Sequence, residues 1–132
     1  MNEHEQWLDA RVLLAGCGSD AAILDRVKRA LRAHVPGELE RAQASWRARD
    51  AASLREAAHR LLGMLAAAST SVGRVASELE NEAAMGRLDA AGDLLERLVP
   101  MALALLSEVE RASLERLLEL SRKAPLGGRA RD

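Results

Sequence analysis

The chain has 132 residues, 48% of them hydrophobic and 30% charged, with a formal net charge of -1; that suits one compact soluble domain with a modest core and leaves no length for a second catalytic lobe. Alanine, leucine, arginine and glutamate dominate while aromatics total 2%, with no Phe and no Tyr, a composition that suits helices and not strands. The near-neutral balance argues against a non-specific nucleic-acid binder, the single Cys17 excludes an internal disulfide, and no Cys/His spacing resembles a zinc site.

The start, MNEHEQWLDARVLLAG, is polar and acidic where a signal peptide is basic and then apolar, and no apolar run approaches the ~18 to 20 residues that span a bilayer. The sequence therefore predicts an all-α cytoplasmic domain, standing alone or as a module of a larger membrane-associated receptor, with no direct membrane contact of its own.

In chain order, Trp7, Leu8, Val12 and Leu13 fall near helical spacing, and the pattern stops at AGCGSD, so a short leading helix is expected within an N-terminal extension, residues 1–17. Ser19 or Asp20 can cap the next helix. Its apolar stripe is Ile23, Leu24, Val27, Leu31 and Val35; Pro36-Gly37 then either bends one long helix or separates two, with Leu39, Ala42 and Trp46 on one side of the segment beyond it. His34, just before the proline, is placed near a helix end.

Asp50 caps a helix through Leu54, Ala58, Leu61 and Leu65, spaced four, three, four as a packed seam requires, up to the polar break Ser69-Thr70-Ser71. Val72, Val75, Ala76, Leu79 and Ala83 define another, ending at Gly86 in a left-handed cap. Asp89 begins a last, extended helix, leucine-rich from Leu94 to Leu120 and kinked at Pro100. Its end extends past the other helices; it is expected to pack on the Trp7 helix, the alternative being a homodimer contact. The tail, 123–132, is expected to be flexible. The predicted architecture is an antiparallel four-helix bundle over residues 18–122, with the short N-terminal helix and the extended C-terminal one added.

One histidine stands apart. A helix turns about 100° per residue, so the seam residues point roughly 140° to 160° away from His59, which faces outward. Ala52, Arg55, Glu56, Leu62, Gly63 and Ala66 share its surface. Glycine inside a helix costs about 1 kcal/mol relative to alanine, and Gly63, one turn after His59, leaves open space beside the imidazole. A neutral imidazole carries one free lone pair and can act as a nucleophile. No Ser/His/Asp set, paired carboxylates or phosphate-binding glycine loop accompanies it, so it suits a carrier of a group handed over by another protein and not an enzyme acting alone. The bland reading is a solvated surface histidine, with a glycine that only lets helices pack closely.

AAHRLLGM, residues 57–64, resembles the signature of histidine phosphotransfer (HPt) domains of two-component phosphorelays, Ala-His, one variable residue, Leu, Lys, Gly, with His59, Leu61 and Gly63 matching. The similarity extends upstream through the Asp50 turn and downstream to Leu79-Glu80 and the Gly86 turn, roughly residues 18–110. It implies that His59 accepts a phosphoryl group from the aspartate of a response-regulator receiver and passes it to another receiver. The domain would bind no cofactor or metal itself, magnesium being supplied by the partner receiver. It would work as a monomer on receivers or a hybrid sensor histidine kinase, with Arg55, Glu56, Leu62, Gly63 and Ala66 shaping the docking face.

Glu80 falls at the family's Leu-Glu position, where an acidic side chain can hydrogen-bond the imidazole; the bland reading is a solvated carboxylate. Two features depart from the family. Leu62 stands where lysine is expected, and Arg55 or Arg60 can replace that cation or be ordinary surface charges. The loop AAASTSVG lacks the usual second glycine and is slightly shorter. An HPt-like interaction module that binds a receiver or kinase without efficient phosphotransfer is the competing expectation.

Overall fold

The computed structural model describes residues 6–123 and holds six helices with no strand among them. They are α1 Ala10–Cys17, α2 Ala21–Arg47, α3 Ala51–Leu65, α4 Thr70–Ala84, α5 Leu88–Arg111 and α6 Leu114–Lys123. The all-α expectation holds, and no described helix is long and apolar enough to cross a membrane. The expected flexible tail, apart from Lys123 at the end of α6, lies outside the described residues.

Helix α1 starts and ends later than the apolar spacing suggested. Asp9 is its cap, accepting from the Val12 N–H, so Trp7 and Leu8 precede the helix. Cys17 is its last residue, inside the helix where the glycines suggested a loop, and is buried. Gly18 closes it at φ 61° and sends its N–H to Leu14 O. The cap of α2 is Asp20, whose carboxylate accepts from the N–H groups of Ala22 and Ile23.

Between the two alternatives at Pro36, the structure has one 27-residue helix. Pro36 and Gly37 are both exposed, and the carbonyl that a proline strands one turn earlier can then be solvated. His34 is consequently mid-helix and exposed. The expected last helix divides: Ala112, at ψ 132°, ends α5, and Ser113 restarts the chain with its hydroxyl accepting from the Arg116 N–H. That capping pair outcompetes the continuous leucine pattern. At the other end, α5 begins at Leu88, one residue before Asp89, with no side-chain cap.

The joints from α2 to α3, α3 to α4 and α4 to α5 are three or four residues long, so the chain reverses at each. Helix α3 packs on α2 and α4, and α5 packs on α4 and α2. Leu54, Leu61, Leu65, Val72, Leu79, Leu98 and Leu105 are fully buried between them. Helix α6 packs on α1, burying Leu13 and Leu117, which is where the leucine-rich end was expected to go.

Two glycines that no local pattern marks set helix distances. A Cβ on Gly73 would lie 3.0 Å from the Ala66 Cβ and 3.1 Å from its Cα, so a side chain there would press on the Ala66 backbone and push α4 away from the end of α3. A Cβ on Gly92 would fall 2.7 Å from the Trp46 ring. That close seat lets the Trp46 Nε1–H donate to Leu88 O at 2.8 Å, locking α2 to the start of α5.

The segment before α1 is tied down by a buried carboxylate. Glu108 of α5 accepts the backbone N–H groups of Gln6, Trp7 and Leu8 at 3.0, 2.9 and 2.8 Å. The Asp9 N–H donates to Ala68 O, and the Thr70 hydroxyl donates to the Asp9 carboxylate. Residues 6–9 thus grip both α5 and the turn between α3 and α4.

Candidate functional site

The hairpin of α3 and α4 builds the site. Asp50 starts α3, accepting from the Ser53 N–H at 3.1 Å and the Ser53 hydroxyl at 2.8 Å; first that N–H and then that hydroxyl hold the Asp50 carboxyl below the usual carboxylate range. Ser69 starts α4, its buried hydroxyl accepting from the Val72 N–H. With the hairpin held close at Gly73 and Ala66, the outward edge of α3 faces the neighbouring edge of α4.

His59 and Glu80 meet across that edge. The His59 side chain is 72% exposed, and its Nδ1 lies 3.0 Å from Oε2 of Glu80, which is 20% exposed. An ionised carboxylate can only accept, so Nδ1 carries the proton and donates it to Glu80. In the neutral ring the lone pair then lies on Nε2. The largely covered Glu80 thereby fixes both the tautomer and the orientation of an exposed imidazole.

Ala52, Arg55, Glu56, His59, Arg60 and Glu80 line one shallow depression, so both arginines and both acids singled out in the sequence gather around the imidazole. Gly63 and Ala66 are exposed, and Leu62 is partly buried against the core. Leu62 is therefore engaged by the chain's own interior. Ala66 has a second role, since it is the residue that Gly73 meets.

Gly63 separates two explanations. A Cβ there would meet nothing within 4 Å, so close packing by this chain does not require the glycine. Nor would a methyl group there touch the imidazole, and the surface beside Gly63 is open. Gly73, ten residues on, is the glycine at which α4 approaches Ala66 closely.

One charged residue near the site was missed. Glu38 of α2 has a side chain only 10% exposed; Oε2 accepts from Arg41 at 2.8 Å, and Oε1 lies 3.6 Å from a guanidinium nitrogen of Arg60. The sequence carried a signal, because Leu31, Val35, Glu38 and Ala42 repeat the four, three, four spacing of a buried seam with a carboxylate at one place in it.

No group of three or more His, Cys, Asp or Glu side chains suited to a metal ion occurs among the described residues. Comparison with protein-family models, curated proteins and solved structures finds no match.

Proposed function

We propose that this protein is a histidine phosphocarrier of the HPt type, an antiparallel four-helix bundle of α2 to α5 on which His59 takes a phosphoryl group from a receiver aspartate and returns it to another. The observation that carries this reading is the outward His59 whose Nδ1–H is held by Glu80, which directs the Nε2 lone pair to solvent. In the forward step Nε2 forms a bond to phosphorus, the phosphorus–oxygen bond of the aspartyl phosphate breaks, and the electron pair leaves on the receiver carboxylate. Nδ1 keeps its proton toward Glu80, which offsets the charge the ring gains.

Catalysis of that step belongs to the partner. Magnesium would be bound by the receiver, and this chain supplies the nucleophile, its orientation and an open face at Gly63. The working place is the cytoplasm, on a free-standing carrier or a module of a hybrid sensor kinase. The resemblance of AAHRLLGM to the HPt signature supports the same reading, and the half-buried Leu62 in place of lysine favours its competitor, a binding module without transfer.

Incubation with a panel of phosphorylated receivers separates them. The proposal expects acid-labile, base-stable label on the wild type and none on His59→Ala. Equal labelling of both proteins overturns it, and receiver binding of equal strength to both, without transfer from any donor, establishes the binding module instead.

A further inference from the structure

A phosphoryl group on His59 brings close to two negative charges to a depression that already holds Glu56 and Glu80. A cation must come forward to offset them, and the two candidates, Arg55 and Arg60, differ in what they would give up. Arg60 is engaged: its guanidinium lies 3.6 Å from Glu38 Oε1 and 3.9 Å from Glu56. Glu38 Oε1 is buried and accepts no hydrogen bond, so Arg60 is the charge that offsets it on that side. Withdrawing Arg60 would strand a carboxylate whose side chain is nine-tenths buried, a costly outcome.

Arg55 has no ion pair or hydrogen bond among the described residues, and it is exposed. It also lies one turn before His59 on α3. Residues four apart on a helix are surface neighbours, whereas adjacent residues such as His59 and Arg60 do not face each other. From His59, Arg60 turns toward α2 and Glu38, while Arg55 stays on the imidazole's own face.

Resting on the phosphocarrier reading, we propose that Arg55 is the phosphoryl-pairing cation of phosphorylated His59, and that Glu38 is a positioning residue that keeps Arg60 out of that role. The cation therefore comes from the turn before the histidine, and Leu62, on the turn after it, is free to serve the core. Glu38 performs this selection from a neighbouring helix, through Arg60 and without lining the depression itself.

The test loads His59 without any receiver, using phosphoramidate. In that step Nε2 forms the bond to phosphorus, the nitrogen–phosphorus bond of the protonated donor breaks, and its electron pair leaves on ammonia. The ³¹P resonance of the loaded protein is then titrated. The charged groups facing the phosphoryl are Arg55, Glu56 and Arg60 on α3 and Glu80 on α4, with Glu38 on α2 behind Arg60. A paired cation favours the more charged phosphoryl form and lowers the titration midpoint.

Arg55→Gln should raise that midpoint by about half a pH unit, about threefold in proton affinity, and Arg55→Lys should largely restore it. Arg60→Gln should leave it in place. Glu38→Gln, which frees Arg60, should restore a low midpoint in the Arg55→Gln background. A midpoint unmoved by Arg55→Gln, or moved as far by Arg60→Gln, overturns the assignment while leaving receiver transfer intact. Failed receiver transfer with these midpoint shifts present defeats only the relay. Failure of phosphoramidate to load His59 defeats the Arg55 assignment.

Discussion

Glu108 and Glu80 are both carboxylates that reach across a helix boundary, and they are used in opposite ways. Glu108 is buried, and three backbone N–H groups of residues 6–8 converge on its two oxygens. Glu80 holds one ring nitrogen of an exposed histidine and leaves the other facing water. A carboxylate saturated by amides ties the chain to itself; one that fixes half of an imidazole leaves the other half open to solvent. The same contrast separates Gly73, whose hydrogen is required by Ala66 of its own chain, from Gly63, beside which the chain places nothing.

The glycine pair gives the largest expected effect. Gly73→Leu forces side-chain atoms into the α3 backbone and should cost about 3 kcal/mol in urea unfolding. Gly63→Leu, a larger side chain in open space, should leave stability unchanged or slightly raised, by less than about 1 kcal/mol, while slowing phosphotransfer. Equal destabilisation by the two would erase the distinction between a packing glycine and a docking glycine.

Glu108→Ala comes next. Losing the acceptor of three amides should lower stability by about 2 kcal/mol and raise hydrogen exchange at Gln6, Trp7 and Leu8. The rate of His59 phosphorylation should remain near wild type, because the residue ties down the N-terminal segment and does not reach the depression. A transfer rate that falls with the latch would instead join the two regions that the structure keeps separate.

The smallest effect is at Asp50. Its folded carboxyl is held below the ordinary range by Ser53, so its contribution is complete above the unfolded carboxyl's titration and is lost as pH falls through the folded one. Thermal unfolding of wild type and Asp50→Ala should therefore differ at neutral pH and converge in acid. A constant difference down to strongly acidic pH would show that Asp50 stabilises α3 by something other than its charge.

Much of this arrangement was legible in the sequence because it depends on local signals. The caps at Asp20 and Asp50 and the seam from Leu54 to Leu65 rest on side chains near in sequence to what they serve, and the outward placement of His59 comes from helical periodicity alone. Where two local signals competed, the reading failed: Ser113 capping overrode the leucine run at Ala112, and Asp9 capping placed Trp7 and Leu8 outside α1. Long-range pairings carried no local mark. Nothing near Gly73 or Gly92 announces the helix it must admit, and Glu108 meets amides a hundred residues away. The contact between His59 and Glu80, 21 residues apart, was expected only through the family resemblance. Glu38 was visible as a charge within an apolar stripe, though its hold on Arg60 depends on how α2 and α3 pack.

The central claim is that Glu80 makes Nε2 of His59 the reacting atom. Mapping the phosphorylated nitrogen, by NMR of protein loaded from a phosphorylated receiver, tests it most directly. The account predicts a single phosphoryl group on Nε2 of His59, with Nδ1 still protonated toward Glu80. Phosphorylation at Nδ1, or at any residue other than His59, would contradict it.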